Sequence, residues 1–262
     1  MSRLIDILQR VDQAAAQPIG FRRTGQETAA RRILLIASMK PGTADKPADY
    51  AEAADALLIS LAQSKLAATT LQTMVRPLKD IPWGVYLEDG DDKKTATLIT
   101  AGCDFVVFPA ASPISTTPQD TKVGKILQVE SSMDDSLLRA ISNLPIDAVL
   151  VTDTLEESGL LLWHQLMIYQ HLTNLINKPL LASVPLNITE SELKALWEAG
   201  VDGVVVEAKT GKPESLKTLR QTINKLPPRS ARRRGKNEAL LPYPSVAKAE
   251  EPEEEEEEEE YE

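Results

Sequence analysis

The stretch "VDGVVVEA" (201–208) has three earlier counterparts in the chain, "ADALLISL" (54–61), "CDFVVFPA" (103–110) and "IDAVLVTD" (146–153). In each one an aspartate precedes a run of apolar residues. Nearly continuous Val, Ile and Leu is typical of a parallel strand that is buried on both faces. The repeat therefore predicts a parallel sheet, in which these four aspartates are turn residues where strands begin: Asp55, Asp104, Asp147 and Asp202.

Four further apolar runs alternate with these stretches, at 32–39, 81–88, 124–131 and 178–185. Parallel neighbours need crossover connections, usually helices, and most of the gaps carry a helical hydrophobic period. Eight strands alternating with helices predict a compact (β/α)8 barrel, the TIM-barrel fold, over residues 33–226. The helices after the first and fourth strands are the weakest in the pattern. An open doubly wound sheet is the alternative.

The two flanks of the predicted barrel differ in character. Leu4, Ile5, Leu8 and Val11 form one apolar stripe, which predicts a helical extension (1–32) that docks on the barrel and closes its N-terminal end. The other flank (227–262) has a basic block at 229–236 followed by eleven glutamates between 250 and 262. This composition predicts disorder. The polyglutamate tail accounts for more than the whole net charge of -10, so the rest of the chain, taken as a whole, is close to neutral.

The composition also bounds the function. A single cysteine, Cys103, excludes an internal disulfide and fits a reducing cytoplasm. No export signal and no membrane-spanning stretch is present, so we expect a soluble, cytoplasmic protein without a membrane partner, and we do not expect nucleic-acid binding. With only His164 and His171 besides Cys103, zinc chemistry lacks ligands, and no metal site is predicted. There is no P-loop and no dinucleotide fingerprint, so the cofactor stays unknown.

TIM barrels carry their active sites where the strands end, so the candidate residues are those that follow the apolar runs. Ser60 and Thr152 stand at two of these positions. Lysines there can act as acid, base or imine-forming amine, and carboxylates can transfer protons or hold Mg²⁺. The alternative is that these rim charges are solvated or paired with one another. The predicted catalytic residues are Lys40, Glu88, Glu130, Asp153, Glu207 and Lys209.

Barrel closure makes the first and eighth strands neighbours. Lys40 and Lys209 should therefore approach the same side of the mouth, with Glu207 between them. Four further residues are predicted to bind an anionic substrate, two after the seventh strand and two in a loop that could reach over the mouth. They are Asn187, Thr189, Arg22 and Arg23. For the two arginines the alternative is solvation or pairing with acidic neighbours.

The segment "VPLNITESELKALWEAGVDGVVVEA" (184–208) resembles the last quarter of phosphate-binding barrels, such as thiamine-phosphate synthase and the tryptophan synthase alpha subunit. The helix and the "AGVDGVVV" strand match their pattern, and the resemblance implies the barrel fold. Pro185, Leu186 and Asn187 stand where these proteins have glycines, and Glu207 with Ala208 replaces their Gly-Ser. These departures argue against the usual phosphate grip. No specific family is identified.

Two functions remain open. The first is an enzyme of lyase, isomerase or aldolase type that acts on a small anionic metabolite at the mouth. The second is a non-catalytic barrel that serves as an interaction or scaffold protein. The segment 159–176 is apolar around much of its helical circumference, so Trp163, Met167 and Tyr169 are predicted to form a surface for another protein or a second copy. The alternative is that they form a wide core face.

Overall fold

The computed structural model describes residues 2–13, 32–40, 47–60, 73, 75–76, 78, 81–87, 97–118, 122–152, 160–208 and 213–227. The chain divides into one unit at Met1–Arg232 and another at Arg233–Glu262, and all of these residues lie in the first. The predicted limits of the extension and of the tail stay predictions, because residues 14–31 and 228–262 lie outside the described ranges.

Eight parallel strands close into a barrel in sequence order. Closure is made by the first and last strands, whose register runs from Leu34 opposite Gly203 to Ser38 opposite Glu207. The predicted (β/α)8 fold is confirmed, and the open sheet is excluded. The strands are β1 (Leu34–Met39), β2 (Ala56–Ser60), β3 (Trp83–Tyr86), β4 (Phe105–Pro109), β5 (Gly124–Val129), β6 (Ala148–Val151), β7 (Leu180–Val184) and β8 (Gly203–Glu207).

Helices occupy the crossovers that the described residues include. In its described residues, the crossover after β1 contains a five-residue helix, and the one after β4 contains a 3-10 turn at Ile114–Thr116, which matches the two weak units of the sequence pattern. The connections at 61–72 and 88–96 lie outside the described residues. The helices are α1 (Arg3–Gln13), α2 (Pro47–Ala51), α3 (Asp135–Ile141), α4 (Trp163–Leu175), α5 (Glu190–Ala199) and α6 (Pro213–Lys225).

Both faces of the last strand are buried, as a strand enclosed by an outer layer of helices requires. Val204, Val205 and Val206 are 0%, 5% and 0% exposed. Alternation along the strand places Val205 toward the barrel interior and its two neighbours on the opposite face. The hydrophobic run of this strand therefore belongs to two layers of the core, one inside the barrel and one beneath the helices.

The repeated aspartates lie at the N-terminal end of the barrel, as predicted, and they do more than form turns. Three of the four aspartates form two hydrogen bonds with one residue at the start of the preceding strand. The aspartate carboxylate accepts the N–H of that residue, and the aspartate N–H donates to its carbonyl. Each such clamp fixes the starts of two neighbouring strands. The pairs are Asp55 with Leu35, Asp147 with Lys125 and Asp202 with Leu180.

The carboxylate of the fourth aspartate, Asp104, bonds the start of α1 instead of the preceding strand. Its N–H still donates to the carbonyl of Trp83, but its carboxylate accepts the Ser2 hydroxyl at 2.7 Å and the N–H groups of Arg3 and Leu4 at 2.8 and 2.9 Å. The Arg3 and Leu4 N–H groups lie in the first turn of α1, where the helix itself supplies no acceptor, so Asp104 caps that helix.

The cap holds α1 against the N-terminal end of the barrel. Its predicted stripe is confirmed, since Leu4, Ile5, Leu8 and Val11 are all buried. Ile5 packs so closely on Gly124, at the start of β5, that a Cβ on that glycine would lie 2.6 Å from Ile5 Cγ1. The helix therefore covers this end of the barrel, and any ligand site at the strand C-termini lies at the opposite end.

Candidate functional site

A cavity of about 260 Å³ lies at the end of the barrel where the strands terminate, which is where TIM-barrel enzymes place their active sites. Its apolar lining comes from Leu58, Leu150 and Val205. Uncharged polar side chains from six strands line it too, namely Ser38, Ser60, Tyr86, Gln128, Thr152 and Ser183. We call these six residues the polar ring.

The polar ring follows from the two-residue period of the strands. In β1 the inward positions Leu34 and Ile36 are followed by Ser38, and in β5 the inward positions Gly124 and Ile126 are followed by Gln128. The barrel core is thus filled by apolar side chains at depth and changes to hydroxyl and amide groups in its last layer. The signal was in the sequence, as a polar residue at the last inward position of several apolar runs.

Lys40 and Glu207 form an ion pair among the residues that line the cavity. The Lys40 Nζ and Glu207 Oε1 atoms are 2.7 Å apart, and the two side chains are 69% and 59% exposed. The hydrogen bond from Lys40 to Glu207, together with the negative charge of that carboxylate, raises the pKa of Lys40 above its ordinary value. Lys40 is therefore a permanent cation near neutral pH, whereas an imine-forming lysine needs a lowered pKa.

Gln128 and Thr152 form a hydrogen bond within the polar ring. Gln128 Nε2 donates to Thr152 Oγ1 at 2.8 Å. The other end of this amide, Oε1, is buried and has no hydrogen-bond partner among the described residues. Buried polar atoms are nearly always paired, so this oxygen is an unmet hydrogen-bonding group on a side chain that lines the cavity.

The structure brings some of the predicted site residues together and leaves others apart. Lys40 and Glu207 meet at the cavity, as barrel closure predicted. Glu130 is exposed beyond β5 and does not line the cavity, and Asn187 is exposed in the turn after β7. Five predicted residues lie outside the described part of the chain and stay predictions: Arg22, Arg23, Glu88, Asp153 and Lys209.

Thr189, predicted to bind substrate, is the N-cap of α5. Its hydroxyl lies 2.6 Å from Glu192 Oε2 and also accepts the N–H of Glu192. Glu192 Oε1 accepts the N–H of Leu161, just before α4, at 2.9 Å. Burial by itself would raise the pKa of Glu192, but hydrogen bonds from Thr189 and from the Leu161 N–H lower it overall. The Thr189 hydroxyl is thus engaged in starting a helix.

Two N–H groups at or next to the positions that would grip a phosphate in the resembled barrels are committed to backbone carbonyls. The N–H of Ala208 donates to the carbonyl of Ser38 at 2.7 Å, and the N–H of Ile188 donates to the carbonyl of Pro185 at 3.3 Å. Neither group is available to an anion. This agrees with the missing glycines and separates the site from the phosphate-binding pattern.

Sequence reasoning missed four members of the polar ring: Ser38, Tyr86, Gln128 and Ser183. These four residues lie inside the strands, whereas the predicted catalytic residues are charged side chains at or beyond the strand ends. A larger cavity of about 720 Å³ lies at the opposite end of the barrel, beside Arg3 and Asp104. Because Asp104 is occupied with capping α1, we assign the candidate site to the smaller cavity.

Two of the three α4 residues that were predicted to form a partner surface are exposed, and the partner itself stays a prediction. Trp163 and Met167 are 82% and 67% exposed, but Tyr169 is fully buried and its inclusion was wrong. Tyr169 is two residues beyond Met167, which carries it to the far side of the helix, where it packs into the core.

Two further properties concern only the residues that the structure describes. None of their helices is long and apolar enough to cross a membrane. Within the same ranges, no three or more His, Cys, Asp and Glu side chains are grouped so that they could hold a metal ion.

Solved structures share this fold. A chain of tryptophan synthase from Mycobacterium tuberculosis matches with a TM-score of 0.62 and 14% identity, over 85% of this chain and 97% of that one. The tryptophan synthase alpha subunit of Pyrococcus furiosus matches with a TM-score of 0.57 and 13% identity, over 75% of this chain and 98% of that one. FabK from Thermotoga maritima matches with a TM-score of 0.52 and 16% identity, over 79% of this chain and 61% of that one.

At these identities the likeness concerns the fold alone. No protein-family model matches the chain, and no curated protein sequence matches it. The function must therefore be argued from the cavity and its side chains.

Proposed function

We propose that this chain is a small TIM-barrel enzyme of lyase or isomerase type, which binds a small anionic metabolite in the cavity at the strand C-termini. The observation that carries the proposal is a polar ring above an apolar core, with the Lys40–Glu207 pair beside it. Such a mixture of apolar surface and few convergent polar groups is typical of ligand sites.

In this proposal Lys40 holds the anion and Glu207 keeps Lys40 protonated and oriented. The raised pKa of Lys40 supports a binding role over imine formation, so proton transfer is favoured over aldolase-like chemistry through this residue. Glu88, Glu130 and Asp153 stay candidates for the group that exchanges the proton. Lys209 is proposed as a second cation, and Arg22 and Arg23 as further substrate contacts. Of the other two predicted contacts, Thr189 is the N-cap of α5 and Asn187 is exposed, so any contact of theirs with substrate would be at the rim of the cavity. A reducing cytoplasm is the proposed compartment.

Thermal unfolding in the presence of a panel of small carboxylates tests this proposal. A ligand that binds only the native state at about a hundred times its Kd adds about 2.7 kcal/mol to the free energy of unfolding. We expect at least one carboxylate to raise the Tm of the wild-type protein, and Lys40→Ala to abolish the shift without lowering the Tm of the free protein.

Lys194→Ala is the matched control, because Lys194 forms a similarly exposed pair with Glu198 on α5, outside the cavity lining. This variant should keep the full shift. The assignment of the anion site is contradicted if the Tm shift is still present in Lys40→Ala, or if it is lost equally in Lys194→Ala.

A protein contact through α4 is the second candidate role, and one observation favours it. Trp163 and Met167 are exposed, and the segment 160–177 contains no Lys, Arg, Asp or Glu. Aromatic and Met side chains with few charges are typical of interface cores. Trp163 and Met167 have no Lys, Arg, Asp or Glu beside them on their own helix, and two-fold dimers are the commonest oligomers, so we propose a second copy of the chain as the partner.

Sedimentation velocity over a concentration series tests this contact. The wild-type protein should form a dimer, and Trp163→Glu should remain a monomer. Ile114→Glu, which charges an apolar side chain of equal exposure beyond β4, is the control and should still dimerise. A wild-type monomer throughout the series, or equal dimerisation of all three proteins, rules out the α4 contact.

A further inference from the structure

The unpaired amide atom of Gln128 indicates what kind of group a ligand presents to the polar ring. A side-chain amide has one accepting end and one donating end. One end of the Gln128 amide meets the Thr152 hydroxyl, and the other is buried without a partner. A buried polar atom in this condition costs free energy, and turning the Gln128 amide toward a bound ligand recovers that cost.

A ligand hydroxyl can supply that hydrogen bond in either orientation of the amide, because it both donates and accepts. A carboxylate oxygen only accepts, and an ammonium group only donates. The Thr152 hydroxyl has the same dual capacity toward the end of the amide that it meets. The pair therefore favours a hydroxyl as the ligand group at this point of the cavity.

The remaining lining of the cavity favours an uncharged inner end of the ligand. The other members of the polar ring are hydroxyl side chains, from Ser38, Ser60, Tyr86 and Ser183. Among the described lining residues the charged ones are Lys40 and Glu207, and both are mostly exposed. A charged ligand group placed deep in the cavity would be desolvated beside hydroxyls and apolar side chains, without an adjacent counter-ion.

The size of the cavity limits the ligand further. Ligand cavities commonly measure about 300 to 1,000 Å³, and this one, at about 260 Å³, is just below that range. A cavity of this size suits a small metabolite. The ligand should therefore have one charged end, several hydroxyls and a short carbon chain.

We propose that the ligand is a small polyhydroxylated carboxylate, of the sugar-acid class, whose hydroxyls meet Gln128 and the polar ring and whose carboxylate meets Lys40. This rests on the proposed function and adds the class of substrate to it. The two ends of the ligand are recognised separately, so each can be tested without the other.

Isothermal titration with three groups of probes tests the proposal on the full-length protein. The first group is gluconate, galactonate and ribonate. The second is their uncharged alditols, which keep the hydroxyls and lack the carboxylate. The third is hexanoate and pentanoate, which keep the carboxylate and lack the hydroxyls. We expect at least one sugar acid to bind about tenfold or more tightly than its alditol and than the fatty acid of the same length.

Two variants assign these preferences to residues. Gln128→Met removes the amide with little change of shape, so it should weaken sugar-acid binding about tenfold and leave the fatty acids unchanged. Lys40→Gln should remove the preference for the sugar acid over its alditol. Lys194→Gln is the control and should behave as the wild-type protein. The comparison among probes on the wild-type protein holds even where a variant folds poorly.

Each other result overturns the proposal in a recognisable way. If fatty acids bind as tightly as sugar acids, the hydroxyl assignment is wrong, while an anionic ligand at Lys40 stands. If alditols bind as tightly as sugar acids, the ligand is neutral, and the role of Lys40 in the proposed function is wrong with it. If neither sugar acids nor alditols bind, the substrate class is wrong, and the carboxylate panel decides the proposed function independently.

Discussion

At the scale of single residues, Cys103 is the most sharply defined by its surroundings. Its thiol is buried and hydrogen-bonded to the carbonyl of Phe105, and burial raises its pKa to about 12. At neutral pH the group is therefore a protonated thiol without access to reagents. We expect no reaction with a thiol reagent such as dithionitrobenzoate in the native state and one equivalent in guanidinium. Stoichiometric labelling of the folded protein would contradict this.

Glu192 gives a prediction with a pH dependence. Its carboxylate binds the start of α5 and the N–H of Leu161, and its pKa is lowered in the folded protein. Such a carboxylate stabilises the fold above its unfolded pKa of about 4.5, and the contribution is lost as the pH falls through the lower folded pKa. At neutral pH, Glu192→Ala should lower the free energy of unfolding by about 1 kcal/mol.

Urea denaturation of the wild-type protein and of Glu192→Ala checks this expectation. It is measured at neutral pH and at about pH 3. The difference between the two proteins should shrink in acid. Glu190→Ala is the control, because Glu190 lies in the same first turn but outside the capping box. A difference that is equal at both pH values, or equal in the control, contradicts the assigned role.

The residues of the site were only partly predictable. Lys40 and Glu207 could be placed together because they follow strands that barrel closure makes neighbours. Gln128 could not be placed, because the inward or outward direction of a strand residue depends on register, and a slip of one residue reverses it. Its apolar neighbours Leu127 and Val129 do not settle the direction, since both faces of this sheet are buried.

At the scale of elements, the contact between α1 and β5 has a specific steric basis. A Cβ at Gly124 would lie 2.6 Å from Ile5 Cγ1 and 2.9 Å from the Ser2 hydroxyl. Gly124→Ala should therefore displace α1 and lower the free energy of unfolding by about 1 to 3 kcal/mol. Chemical denaturation measures the loss, and hydrogen exchange should rise over residues 3–13.

A second substitution distinguishes this steric effect from a general effect on the strand. Ile5→Ala creates room for the new methyl group, so the double variant should be more stable than the sum of the two single losses implies. Strict additivity would show that Gly124 does not act through Ile5.

The elements themselves were largely predictable, for reasons that can be named. Asp55 and Asp147 mark strand starts because their side chains bond the preceding strand, so the signal in the sequence has a local physical cause. Tyr169 was misplaced because α4 is apolar on most sides, and its sequence does not indicate which arc of the helix packs on the sheet.

At the scale of the whole molecule, the closed barrel predicts cooperative unfolding. Every strand pairs with two neighbours, so no strand can leave without breaking the ladders on both of its sides. Residues 33–226 should therefore unfold in one transition. Circular dichroism and the fluorescence of the buried Trp83 and Trp197 should give coincident curves in urea. Two separated transitions would mean that the barrel consists of independent halves.

The capping of α1 by Asp104 also has a consequence for the order in which the protein is made. Ser2 is synthesised 102 residues before Asp104, whose carboxylate accepts its hydroxyl. The separation is larger still for β1, because one of its two partner strands is β8, Gly203–Glu207. A nascent chain that stops before β8 keeps two open sheet edges, which are templates for aggregation. We therefore expect the nascent chain to be prone to aggregation until β8 has emerged.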